Sequence, residues 1–115
     1  MGAKNIISVL FIFLAMMVSS AQASSVNPTQ ITGVLVGPNY GTNVILTISN
    51  KPAQVPACQT NPGYNYVFDA STEVGQITLS VVLTAYASGK NVWLAGSDQC
   101  DVYSGIETLK HIVTN

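Results

Sequence analysis

The sequence predicts a mainly β domain with one helix, in the order β-β-β-α-β-β. Two observations predict it. Short β-branched or alternating apolar runs are separated by Gly, Pro and Asn, and one long stretch between the third and fourth runs has helix-type ends.

The domain is preceded by a segment of another kind. Lys4 is followed by the apolar run Ile6 to Val18, then by Ser19, Ser20 and the small-residue site Ala21-Gln22-Ala23. This is the order of a secretory signal peptide, so residues 1–23 are expected to be removed by a cut after Ala23. As a helix the 13-residue run would span roughly 20 Å, short of the roughly 30 Å hydrocarbon core of a bilayer. No membrane association is expected after cleavage, and the product is expected to be secreted or periplasmic.

The cut leaves 92 of the 115 residues, enough for a single core. Their charges are Lys51, Lys90 and Lys110 against Asp69, Glu73, Asp98, Asp101 and Glu107, a net of −2 with no arginine. Nucleic acid is therefore not an expected partner, because phosphate affinity comes from clustered Lys and Arg. Cys58 and Cys100 are the only cysteines, and an even count in a small exported domain reads as one structural disulfide. Their spacing excludes a CxxC redox motif.

Residues 24–30 are polar and contain Pro28, which reads as a flexible lead-in; the single domain is expected to span 31–115. Ile31 to Val36 and Val44 to Ser49 are strands one and two, a hairpin around the turn-rich stretch Gly37 to Asn43. Asn50 to Gly63 holds Pro52, Pro56, Pro62 and Cys58 and reads as a loop pinned by the disulfide. Tyr64 to Phe68 alternates and forms strand three. Asn91 to Ala95 is strand four. Gly96 to Gly105 is a polar loop, and Glu107 to Val113 is strand five.

Between strands three and four the apolar residues Ile77, Leu79, Val81, Leu83, Ala85 and Ala87 fall at every second position, so period alone does not decide. The ends favour a helix: Asp69 is a good N-cap, Glu73 lies in the first turn and Gly89 is a good residue just past the end. Thr72, Gln76, Ser80, Thr84 and Ser88 recur every four residues as one narrow polar stripe. A helix with so narrow a wet face is expected to be mostly interior. The resulting order is that of the five-stranded OB-fold barrel, with the helix plugging it.

Laid out this way, the chain resembles the B subunits of five-B-subunit bacterial toxins of the subtilase cytotoxin and typhoid toxin type. The carriers are Ile31-Thr32-Gly33-Val34-Leu35-Val36, Ser71-Thr72-Glu73, and the run from Leu83 to Val92 (LTAYASGKNV). The resemblance implies an exported OB-fold domain from a Gram-negative bacterium, pentameric in the toxins, that binds cell-surface glycans and carries an enzymatic A subunit. A further copy of the chain is thus a candidate partner. It also implies a sugar-contacting hydroxyl at Thr32, where the family has Ser. Two departures accompany it: a family aromatic beside the sugar falls on Gly96, and the family closes a local cysteine pair, whereas Cys58 and Cys100 are far apart in sequence.

Other candidate chemistry is sparse. His111, the only histidine, shares a face with Leu109 and Val113 and has no nucleophile and carboxylate in a recognisable pattern, so no enzyme is expected. One His and two bridged Cys are too few for a metal site, and no cofactor is expected. Asp98, Asp101 and Glu107 lack the spacing of a calcium loop and read as solvated loop carboxylates. Tyr64 and Tyr66, with Phe68, read either as an aromatic platform for sugar rings or as a core-facing strand. Trp93 faces either a ligand, a neighbouring subunit or the core. The expected function is a non-enzymatic binding module for a glycan or a protein; the alternative is an envelope structural or protein-interaction protein on an OB scaffold without a sugar site.

Overall fold

A strand, β1 (Ser25–Thr29), occupies the stretch where a flexible lead-in is expected. The computed structural model describes residues 23–115, so residues 1–22 of the expected signal segment lie outside the described residues. β1 pairs antiparallel with β5 (Val92–Gly96), placing Ser25 opposite Ala95 and Val26 opposite Leu94. Val26 enters the core, and the Thr29 hydroxyl donates to Asn50 O at 3.1 Å while accepting from Asn50 N at 3.0 Å. Pro28, which has no N–H for a ladder, falls inside the register shift between Val26 and Thr29. The lead-in reading fails because pairing with a distant strand outweighs a polar, proline-bearing composition.

β2 (Ile31–Leu35), β3 (Asn43–Ile48) and β4 (Tyr66–Asp69) form one antiparallel sheet in that order; β1, β5 and β6 (Leu109–Thr114) form the other in the order β1-β5-β6. The expected hairpin of strands one and two is β2 and β3, with Ile31 opposite Ile48 and Leu35 opposite Ile45. The architecture is therefore mainly β with one helix, in two three-stranded sheets and not in one closed five-stranded barrel. Two local causes separate the sheets. At Gln30 the chain passes from one sheet to the other, and β6 begins only at Leu109 because Glu107 N and Thr108 N are taken up by Gln59 Oε1 and Gln99 O. Between β4 and β6 there remains one parallel bridge, Val67 with Thr108.

β3 is apolar along the whole of one face and at Ile45 on the other, where Asn43 and Thr47 are only partly buried. Val44, Leu46 and Ile48 point into the main core between the sheets and the helix, together with Tyr66, Phe68 and Leu94. Ile45 points the other way, into a second core with Val67 and Ile106 that is roofed by Tyr40, Tyr64, Val102 and Tyr103. Cys58 and Cys100 tie the two roofing loops together, with S–S 2.09 Å and Cα–Cα 5.9 Å, as the cysteine count predicts.

The helix, α1 (Glu73–Ser88), forms in the stretch where the sequence places one and ends as expected, but starts three residues later. Its N-cap is Thr72, whose hydroxyl accepts from Gly75 N at 3.0 Å. Asp69, the expected cap, instead ends β4 and accepts from Thr42 Oγ1, Ser71 N and Ser71 Oγ, bonds that hold its carboxyl below the usual carboxylate range. Gly89 closes the helix in the left-handed conformation, φ 65°. Gly75 sits over the end of β4, where a Cβ would overlap Asp69 O.

The expected burial of α1 does not hold. Only Gly75, Val82 and Ala85 are buried, while Val74 is 73% and Ile77 62% exposed. The polar stripe faces away from the core, leaving apolar residues on both its flanks: Val74 and Ile77 on one, Leu83 and Tyr86 on the other. The stripe's hydroxyls turn inward on the helix itself, Ser80, Thr84 and Ser88 each donating to the carbonyl four residues back at 3.1, 2.8 and 2.7 Å.

Candidate functional site

Thr32 is exposed on β2, one residue after the buried Ile31, as strand alternation requires. Its hydroxyl lies 3.0 Å from that of Thr47 on β3. A register shift between Ile31 and Gly33 brings the two threonines together by setting Gly33 opposite Thr47. Gly33 makes the approach feasible, since a Cβ there would stand 2.5 Å from Thr47 Oγ1. Beside this pair lies a shallow depression of about 250 Å³ lined by Gly33, Val34, Leu35, Thr47 and Tyr64.

Tyr64 reaches that depression from the loop before β4. Its backbone is fixed by Asn61 Oδ1, which accepts Tyr64 N at 3.0 Å, and by Gln59 Nε2, which donates to Tyr64 O at 2.9 Å. Gln59 also accepts from Glu107 N at 2.6 Å, so the residue beside Cys58 joins both disulfide-linked loops to the tyrosine. Nothing in the local sequence marks Gln59 or Thr47, because each acquires its role from a partner across the fold.

The platform of Tyr64 with Tyr66 does not form. β4 begins only at Tyr66, so the alternation that would align the two rings does not extend to Tyr64. Tyr66 is fully buried in the main core, its hydroxyl 2.6 Å from Ser24 Oγ. Burial pushes its phenol up to about 12, the Ser24 bond opposing and the nearby Glu107 carboxylate assisting.

Trp93 lies on the other sheet. Its Nε1 donates to Ser25 Oγ at 2.9 Å, and its ring meets His111 edge-on at 4.7 Å. His111 Nε2 is buried without a hydrogen-bond partner. Trp93 and Thr32 thus belong to separate surfaces, and no carboxylate orients His111 among its described contacts.

Of the three loop acids, Asp98 and Asp101 are exposed, and Asp101 accepts from Thr108 Oγ1 at 2.7 Å. Glu107 overturns the solvated reading: it is 0% exposed. Its carboxylate accepts from Ser24 N at 3.3 Å, from Ser24 Oγ and from Asp98 N at 2.9 Å. Gly96 lies directly beneath it, with no room for a side chain. Among the described residues no group of three or more His, Cys, Asp or Glu is placed to hold a metal ion, and no helix is long and apolar enough to cross a membrane.

These features define a mainly β, disulfide-bonded domain that carries a hydroxyl pair beside one shallow depression and a second depression of similar volume lined by Ser80, Val81, Thr84 and Thr114. No protein-family model matches the chain, and no curated protein or solved structure matches it.

Proposed function

We propose that the chain is a non-enzymatic binding module, exported to the periplasm or medium, that holds a glycan at Thr32, Thr47 and Tyr64. The observation that carries this reading is the exposed Thr32–Thr47 hydroxyl pair beside a depression with a tyrosine in its wall. Paired hydroxyls donate to and accept from sugar hydroxyls, and an aromatic ring covers the apolar face of a pyranose. The disulfide suits an oxidising compartment.

The strand neighbours support an OB-like, toxin-B-subunit-like scaffold. With β1 and β2 taken as one bent strand, the pairing runs from it to β3, to β4, across the parallel bridge to β6, then β5 and back. That sequence of neighbours fits a partly open five-stranded OB barrel. A shallow site holds one sugar weakly, so repeated sites on an assembly would raise the avidity. The partner we assign to the two apolar flanks of α1 is a further copy of this chain, because a helix with such a flank on each side of a polar ridge can meet two neighbours.

Binding to an array of sialylated and neutral oligosaccharides, repeated with Thr32→Ala and Thr47→Val, tests the glycan site. Each substitution is expected to weaken binding about tenfold, the worth of a lost hydrogen bond, with Trp93→Phe unchanged. Absence of binding to any glycan overturns it. A second reading, protein contact on the same scaffold without a sugar site, is favoured by Gly96, where Glu107 leaves no space for the aromatic that toxin B subunits place beside the sugar. Capture of a protein partner unaffected by Thr32→Ala would select it.

A further inference from the structure

We infer that the fold registers its own processing: the α-ammonium created at Ser24 when the preceding segment is removed is the cationic partner of the buried Glu107. The inference rests on the export reading above and concerns what the cut does to the domain.

Glu107 is fully buried, and the groups that donate to its carboxylate among the described residues are Ser24 N, Ser24 Oγ and Asp98 N. None of them is cationic in the uncut chain. A buried carboxylate facing only neutral donors is costly, and an opposite charge together with satisfied hydrogen bonds offsets much of that cost. Ser24 N already stands 3.3 Å from Glu107 Oε2, so the position for that charge is built.

Ser24 is held at every polar atom it has. Besides the two contacts to Glu107, its hydroxyl meets Tyr66 and its carbonyl accepts from Gly96 N at 2.9 Å. It is 2% exposed, whereas Ala23 before it is exposed. The change from outside to inside thus falls at the peptide bond where the small-residue motif places the cut.

In that cut, a processing peptidase directs water onto the Ala23 carbonyl carbon and the C–N bond to Ser24 breaks. The water oxygen stays with the departing Ala23 carboxylate, and the Ser24 nitrogen takes up protons to become an ammonium, the prevailing form of an α-amino group at neutral pH. One neutral amide donor becomes a charged group with three N–H donors, and its bond to Glu107 becomes charge-assisted. The domain is therefore more stable after the cut than before it.

The test compares the chain beginning at Ser24 with the same chain N-acetylated and with one that retains Ala23, each with and without Glu107→Gln, by urea unfolding. N-terminal sequencing of the exported protein accompanies it. Acetylation and the retained Ala23 are each expected to lower the folding equilibrium constant about tenfold, the scale of a hydrogen bond to a charged group, and Glu107→Gln is expected to remove that difference. Should Glu107→Gln not fold, the acetylated and free-amine wild-type chains decide alone. Equal stability of those two, with the exported protein beginning at Ser24, overturns this inference and leaves the export reading standing. An exported protein that begins elsewhere overturns this inference alone, whereas a chain that keeps residues 1–23 and stays in the cytoplasm overturns the export reading as well.

Discussion

The carboxyl group of Glu107 occupies the space that a Cβ would need at Gly96. Gly96 ends β5 while Glu107 lies in the loop before β6, so the contact fixes how the β5–β6 connection folds back on the sheet. Gly96→Ala is expected to destabilise the domain by about 1–3 kcal/mol, as overpacking does, read as a lower urea midpoint. A midpoint equal to that of the unaltered protein would mean that the carboxylate can move aside.

Tyr66 ionises at 10.0 in its ordinary setting and at about 12 in the fold. Below pH 10 both states keep the proton, and the interior phenol contributes its full stability. Between pH 10 and 12 the unfolded chain loses the proton first, so stability falls as pH rises. Over that range the stability advantage of the wild type over Tyr66→Phe is expected to shrink, as measured by denaturant unfolding at stepped pH. A constant advantage would contradict the assignment.

Reduction of Cys58–Cys100, separated by 42 residues, should cost about 4 kcal/mol on the chain-entropy scale. The loss is expected to centre on the second core, whose roof is the pair of bridged loops, and amide exchange around Tyr64 and Tyr103 with and without reductant would locate it. Unchanged exchange there would show that Ile45, Val67 and Ile106 hold the roof unaided.

Ile77 is 62% exposed on one flank of α1 and Leu83 46% on the other. If copies of the chain meet through those flanks, the wild type sediments as an oligomer, and Ile77→Asp or Leu83→Asp yields a folded monomer. Both side chains are largely exposed in the single chain, so each substitution is expected to lower monomer stability by only about 1 kcal/mol, mostly through the poorer helix propensity of Asp. A wild type that is monomeric at high concentration removes the self-association proposal.

Elements with local signatures were legible in the sequence. The β2–β3 hairpin has β-branched runs around a turn-rich loop, α1 has its polar stripe and Gly89, and the disulfide follows from a cysteine count of two. β1 was not legible, because its polar composition argues for a loop and its strand character comes from β5. The helix start is three residues later than expected because both Asp69 and Thr72 are good caps, and Asp69 is engaged by Thr42 and Ser71. A narrow polar stripe implies burial only if the flanks find partners within the chain, which Ile77 and Leu83 do not. At the candidate site, the exposure of Thr32 follows from strand phase, but its pairing with Thr47 depends on a register shift that no residue pattern announces. Glu107 was misread for a similar reason, since its neighbours Asp98 and Asp101 are wet and the group that secures it, Ser24, comes from the far end of the domain.

Because Ser80, Thr84 and Ser88 already give their protons to carbonyls within the helix, water can be stripped from the C-terminal part of the α1 ridge, beyond Gln76, without stranding a hydroxyl donor. Whatever comes to lie along it must match its contour, but need offer no acceptors in return.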